Sequence, residues 1–500
     1  MPARPVVFVH GYSASERAFA RWREILEAKG YEASSIHVST YQSLTNEVTV
    51  KDLAEAFDRA LRVQVGLDRD EPFDAVVHST GMLVVRAWLT AYRQRRGRLK
   101  NLVGLAPATF GSPLAHKGRS WLGALVRGNR EVGPDFLEAG NLILGGLELG
   151  SRLTWDLAHQ DLLGDEAVYG PSGDTPYVFI FCGTRPYGGL LSLANTPGSD
   201  GTVRLAGCPL NTRKIVVDLT EDAARSGAAQ RVRVAPWSNV DIPLVPVAGL
   251  DHGTILSAPS DDLIRLVDAA LNVADADAYA RWQAAAEAHR AQVFAQDPGL
   301  GRWQQFVMRV LDERGDPVPD YFVEFIVSGA GSATWRPLKD VYPAFEMDIH
   351  PYGADKSLRC FHVDLKSVAV APGDRLGVRL IASSGSQLVG YHGFSDDSVR
   401  VEAAGETLGE WSGVVDLSAL GEVRLFYPFT TTLIEIRLNR EPLPLSGDNK
   451  LLWFPDAPSS RRARRAAELA AKVAQSKADD ARLGALMDEF ERRLQADGRE

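Results

Sequence analysis

The segment Phe73-Asp74-Ala75-Val76-Val77-His78-Ser79-Thr80-Gly81-Met82-Leu83 constrains this chain more than any other. An apolar run that reads as a buried strand stops at His78-Ser79-Thr80-Gly81, and a helix-like apolar pattern begins at once. Strand and helix must therefore be joined by a sharp turn with Ser79 at its apex. Such a turn lifts the hydroxyl clear of the backbone and places it over a helix N-terminus, where negative charge is favoured. The pattern departs from G-x-S-x-G in one place, because Val77 stands where the first small residue is usual. A serine in this position also suits an ordinary helix cap, so the rest of the chain has to supply the chemistry.

It does so in two later segments, Gly198-Ser199-Asp200-Gly201-Thr202-Val203 and Gly249-Leu250-Asp251-His252-Gly253-Thr254. A neutral hydroxyl is a poor nucleophile, so an imidazole must take its proton and later pass it to the leaving group. A carboxylate must then hold that imidazole in one tautomer and stabilise its charged form. Ser79, Asp200 and His252 are the residues expected in these roles. Asp174 and Asp218 are rivals for the acid, Asp218 because it ends the apolar run Lys214-Ile215-Val216-Val217. Asp251, next to the base, is expected to position its loop.

With Val9-His10-Gly11-Tyr12, Phe110-Gly111-Ser112-Pro113 and the order Ser, Asp, His, the chain resembles bacterial α/β-hydrolases of the lipase and esterase type over residues 4–275. The resemblance implies an α/β-hydrolase fold with a helical cap. It implies an oxyanion hole made by the amides of Tyr12 and Thr80, and a supporting loop structure in which His10, Gly11, His78 and Gly81 shape the site without reacting. It does not specify a substrate.

Five hundred residues exceed one compact core, so two or three domains are expected. A net charge of −9 with no Lys/Arg stripe argues against a nucleic-acid partner. No apolar run approaches the length of a membrane span, and the N-terminus enters a strand without a signal-like region. A cytoplasmic location is expected, with export by a non-classical route left open. Three cysteines, Cys182, Cys208 and Cys360, form neither a disulfide framework nor a zinc pattern. A Cys182–Cys208 bridge and a pair of reduced thiols both remain open, the second favoured by that location.

Strand-like and helix-like segments alternate from Val6 to Leu105, which predicts a parallel sheet covered by helices, with functional residues at its carboxyl ends. The alternation stops between residues 112 and 176. Leucines there, including Leu142, Leu147, Leu149, Leu157 and Leu162, line helix-like faces. They read either as a greasy lid or as the core of a structural subdomain. The catalytic domain is expected to run from 1 to 296 and to end before Asp297-Pro298-Gly299-Leu300-Gly301. Short strand-like runs follow, among them Trp303 to Val310, Tyr321 to Val327, Val423 to Tyr427 and Thr431 to Leu438. They predict an antiparallel β-sandwich over residues 302–445. A helical segment at 458–496, opened by Arg461-Arg462-Ala463-Arg464-Arg465, is expected to dock on the protein, and membrane attraction by its basic cluster is the alternative.

The expected activity is that of a serine carboxylic-ester hydrolase acting on acyl or lipid esters through an acyl-enzyme, without metal or organic cofactor. Its partner is a small-molecule or lipid ester, with contact to a lipid surface and oligomeric state left open. An acyltransferase or thioesterase using the same triad, and a non-catalytic interaction protein on the same fold, are the alternatives.

Overall fold

The structure is a computed structural model. It describes residues 4–10, 19–36, 48–116, 141–170, 174–189, 192, 195–220, 232–235, 242–298, 300–343, 347–367, 373–386, 389–393, 410–417 and 426–442. The first strands are β1 (Val6–Val9), β2 (Ala33–Ile36), β3 (Phe73–His78), β4 (Leu99–Leu105), β5 (Tyr177–Gly183), β6 (Thr212–Asp218), β7 (Val232–Ala235) and β8 (Leu244–Val247). Six of them form one parallel sheet in the order β2-β1-β3-β4-β5-β8. Its interior strands β1 and β3 are buried along their whole length, which explains why they read as continuous apolar runs. Pro246 cannot donate to a ladder, and it sits in β8 at the sheet edge, where that costs little.

Helices cover the sheet, among them Ala20–Ala28, Val50–Val63, Gly81–Ala91, Asp261–Leu271 and Ala276–Gln296. The second begins with a capping box. The Thr49 hydroxyl accepts from the Asp52 amide at 3.3 Å, and the Asp52 carboxylate accepts from the Thr49 amide at 2.7 Å. Its apolar face, Leu53, Ala54, Phe57 and Leu61, is buried. The chain leaves β1 outward to β2 and returns on the other side to β3. The carboxyl ends of β1 and β3 therefore flank the point where the strand order reverses, which is where such sheets open a crevice. His10 ends one strand and Ser79 follows the other.

The remaining strands are β9 (Trp303–Asp312), β10 (Tyr321–Ser328), β11 (Arg336–Pro337), β12 (Met347–Pro351), β13 (Leu358–Asp364), β14 (Arg375–Ser383), β15 (Val389–His392), β16 (Glu410–Asp416) and β17 (Thr431–Pro442). One sheet has the order β12-β13-β9-β17-β6-β7, with β15 added to β17. A second has the order β11-β10-β14-β16. Phe306, Ile215 and Ile434 of the first meet Phe325, Val378 and Val415 of the second in one apolar core.

The expected sandwich is present, but two of its expected features are corrected. It is not purely antiparallel, because β17 runs parallel to both β9 and β6. Nor does it begin after residue 301, because β6 and β7 leave the first half of the chain to join its sheet. Phe426 and Tyr427, expected in a strand, lie outside one. They precede a turn ending at Phe429, whose φ is +56°.

In the insertion, helices span Pro113–His116, Asn141–Leu147 and Arg152–Asp161. Leu147, Leu149, Leu157 and Leu162 belong to the main core, whereas Leu142 is exposed. These buried leucines serve the fold. Residues 117–140 of the insertion and the helical segment expected at 458–496 lie outside the described residues. No described helix is long and apolar enough to cross a membrane.

Candidate active site

Ser79 is half-buried and has a φ of +53°, a left-handed conformation that few residues with a side chain adopt. The bend is held by its own backbone. The Ser79 carbonyl accepts from the amides of Ala108 at 3.0 Å and Met82 at 3.3 Å, and its amide donates to the Leu105 carbonyl at 3.4 Å. Thr80 occupies the N-cap position of the helix that begins at Gly81. This is the strand–turn–helix that the sequence predicts, and Val77 does not prevent it, being fully buried within β3.

The close approach falls on Gly81 instead. A Cβ there would lie 2.5 Å from the Val9 carbonyl oxygen and 3.1 Å from that of His10. Both are backbone atoms of β1 and its end, so they cannot swing aside. Gly81→Ala is expected to destabilise the fold by about 1–3 kcal/mol, as overpacking does. A thermal melt unchanged from wild type would show that the turn is not clamped there.

His252 lies on the loop after β8 and Asp200 on the loop after β5. The His252 Nδ1–H donates to Asp200 Oδ2 at 2.8 Å, and the His252 amide donates to the Asp200 carbonyl at 3.1 Å. Asp200 is fully buried, and its Oδ1 accepts from the amides of Thr202 at 2.9 Å and Val203 at 2.8 Å. Because a carboxylate only accepts, Nδ1 carries the hydrogen and Nε2 is left to act as a base. The third contact of His252 is with the residue before the serine. His78 Nε2–H donates to the His252 carbonyl at 3.1 Å, and the two rings lie 4.5 Å apart. Ser79 Oγ is not hydrogen-bonded to His252 in this arrangement.

The rivals for the acid fall elsewhere. Asp218 is on β6, in the sheet shared with β9 and β17, where it accepts from the Thr220 amide at 3.1 Å and hydroxyl at 2.6 Å. Asp174 is exposed. Asp251 builds the base loop. It accepts from the Thr254 amide at 2.8 Å and pairs with Arg185 at 2.7 Å. Burial works to raise its pKa, but those two partners outweigh it and hold the carboxyl below its ordinary range. His10 is fully buried and meets Phe19 edge-on at 4.9 Å, a packing role. Gly11 and Tyr12, and with Tyr12 one of the two expected oxyanion amides, lie outside the described residues.

Three features were not read from the sequence. The acid loop rests on the sheet that contains β9, β12 and β17. Gly198, with φ +68°, lies so close to Trp303 that a Cβ would come within 2.6 Å of its ring. Farther along, Thr431 Oγ1 donates to the Ala206 carbonyl at 3.2 Å, and Arg204 pairs with Asp348. Second, the Cys182 thiol donates weakly to Asp200 Oδ2 at 3.8 Å, and all three cysteines are free and buried. Third, Arg86 on the helix after Ser79 forms a bidentate pair with Asp161, at 2.7 and 2.9 Å, with both side chains fully buried. A lone arginine among Met82, Leu83, Val84, Val85, Trp88 and Leu89 is the signal that could have revealed it. Among the described residues no group of three or more His, Cys, Asp and Glu side chains could hold a metal.

No protein-family profile matches the chain, and no curated protein matches it by sequence. Solved structures do resemble it. A phospholipase, PlaB from Legionella pneumophila, superposes with a TM-score of 0.70 at 21% identity, over 92% of this chain and 97% of that one. The same phospholipase in complex with thio-NAD gives 0.67 at 21%, over 91% and 97%. The mature lipase BlEst2 of Bacillus licheniformis gives 0.32 at 18%, over 51% and 88%. The chain has an α/β-hydrolase fold, extended by a further β-sheet domain.

Proposed function

We propose that the chain is a serine carboxylic-ester hydrolase that cleaves acyl or lipid esters through an acyl-enzyme. One observation carries the reading. A buried Asp200–His252 pair, with its proton on Nδ1, stands against the residue that precedes a strained, half-buried serine. In this mechanism Ser79 Oγ attacks the ester carbonyl carbon while His252 Nε2 takes its proton. The Asp200 carboxylate stabilises the resulting imidazolium. The amides of Thr80 and Tyr12 receive the oxyanion, a contribution worth about 10²–10³ in rate for each donor. His252 then returns the proton to the departing alkoxide, which leaves as an alcohol. Water, deprotonated by His252, attacks the acyl-enzyme, releasing the acid and regenerating Ser79.

The phospholipase named above shares the fold over nearly the whole chain, β-domain included. That extent favours lipid esters, phospholipids among them, as the substrate class. The reaction is tested by incubating the full chain with an alkyl fluorophosphonate and mapping the adduct. A single phosphonylated peptide containing Ser79 is expected, with hydrolysis of p-nitrophenyl esters lost in parallel. Labelling at another residue, or activity that survives complete labelling of Ser79, would overturn the mechanism. Transfer of the acyl group to an added alcohol in preference to water would point to an acyltransferase.

A further inference from the structure

We propose that His78 is a positioning residue for the reaction, a strut at the end of β3 that sets the height of the base His252 over Ser79. The inference rests on the serine-hydrolase reading and adds to it a residue that the triad chemistry does not require. His78 is the last residue of β3, and Ser79 follows it directly. The same strand end therefore fixes the nucleophile through the backbone and the base loop through a side chain. The base loop is long in reach, since it arrives from β8 at the far edge of the sheet. Its other ties are to Asp200 and Arg185, both after β5, and through the Ile255 carbonyl to Trp22 on the first helix. None of these ties reaches β3, the strand that carries the nucleophile. The His78 Nε2–H bond to the His252 carbonyl, at 3.1 Å, ties the base directly to the end of that strand.

The contact is selective in its chemistry. A carbonyl only accepts, so His78 must carry its hydrogen on Nε2. Its Nδ1 is buried and has no hydrogen-bond partner among the described residues. The ring lies 4.5 Å from that of His252 and 6.5 Å, edge-on, from Phe19. The charged or titratable groups facing it are His252 and His10, with Asp200 beyond His252. Burial, and then the charge of His252 and His10, push His78 well below the ordinary histidine range, against the pull of the His252 carbonyl. His78 therefore stays neutral when His252 becomes an imidazolium. Its ring adds no competing charge at the moment the proton is transferred.

The test uses the full chain and three variants, with kcat and KM measured on a p-nitrophenyl ester across pH. His78→Phe keeps a ring but removes the donor. It is expected to lower kcat by about 10²-fold, the effect of misplacing a catalytic group by roughly an ångström, with little change in KM. His78→Gln places an amide N–H near the position of Nε2 and should recover a large part of kcat, whereas His78→Asn, which reaches only to the position of Nδ1, should not. In wild type His78 should add no ionisation of its own to the acidic limb of kcat/KM, because burial holds it well below the ordinary histidine range. Wild-type kcat in His78→Phe, or variants that all lose activity alike whatever their donor, would overturn the strut. So would a wild-type limb with a slope of two, a result that depends on no variant folding. Failure of the hydrolase reading is distinct, because it appears as a wild-type protein that neither turns over esters nor takes the fluorophosphonate, and it removes the strut with it.

Discussion

Ser79→Ala should lose about 10⁶-fold in kcat on any ester that the wild type hydrolyses, while unfolding at nearly the same temperature. The two halves of this result come from different parts of the structure. The bend at Ser79 is held by backbone bonds to Leu105, Ala108 and Met82, none of which involves the hydroxyl. Alanine keeps the Cβ and meets the same φ of +53° that serine already tolerates, so the strain is unchanged. What disappears is the atom that forms the acyl-enzyme. Asp200→Asn should be milder, at about 10⁴-fold, because an amide in place of the carboxylate favours the wrong tautomer of His252 but leaves the nucleophile in place. Initial rates with fluorophosphonate-titrated protein separate the cases, since titration removes contaminating wild type. A Ser79→Ala protein within tenfold of wild type would mean that the nucleophile lies elsewhere on the chain.

The parts of this site that were legible in the sequence are those fixed by short-range constraints. The elbow is a strand, a turn and a helix within eleven residues, and each leaves a local pattern: apolar continuity, a small residue at Gly81, and helical spacing after it. Asp200 and His252 were legible because the chemistry needs one of each and because each follows a strand of the same sheet. What stayed hidden depends on pairing between distant segments. Nothing local to Thr212–Asp218 says whether it continues the first sheet or lies beside β17, more than two hundred residues later; the parallel pairing in the structure decides that. The same long-range packing sets Trp303 under Gly198 and makes the β-domain part of the support for Asp200. The leucines of the insertion were ambiguous for a related reason, since a helix face that is apolar for a ligand and one that is apolar for a core have the same period.

Arg86→Ala should be the most damaging substitution to the fold outside the sheet itself, costing about 3–5 kcal/mol because it strands a buried carboxylate. Burial by itself would lower the Arg86 pKa, yet the Asp161 carboxylate overrides that and holds the guanidinium above its ordinary value, so the pair stays ionised. Three partners depend on it. Arg86 donates to both oxygens of Asp161 and, at 2.6 Å, to the Thr109 carbonyl. Tyr169 donates to Asp161 Oδ2 at 2.7 Å. Removing the guanidinium leaves the carboxylate with Tyr169 alone. Denaturant midpoints should show the loss, and Arg86→Met combined with Asp161→Leu should recover part of it, because an apolar pair no longer buries a lone charge. A single variant within 1 kcal/mol of wild type would show that water or a shifted neighbour replaces the arginine. The consequence reaches the reaction as well. Thr109 follows Ala108, whose amide holds the Ser79 carbonyl, and Arg86 lies on the helix that starts two residues after the same serine. The ion pair therefore braces both sides of the strained turn, and its loss should slow fluorophosphonate labelling of Ser79 even where the protein remains folded.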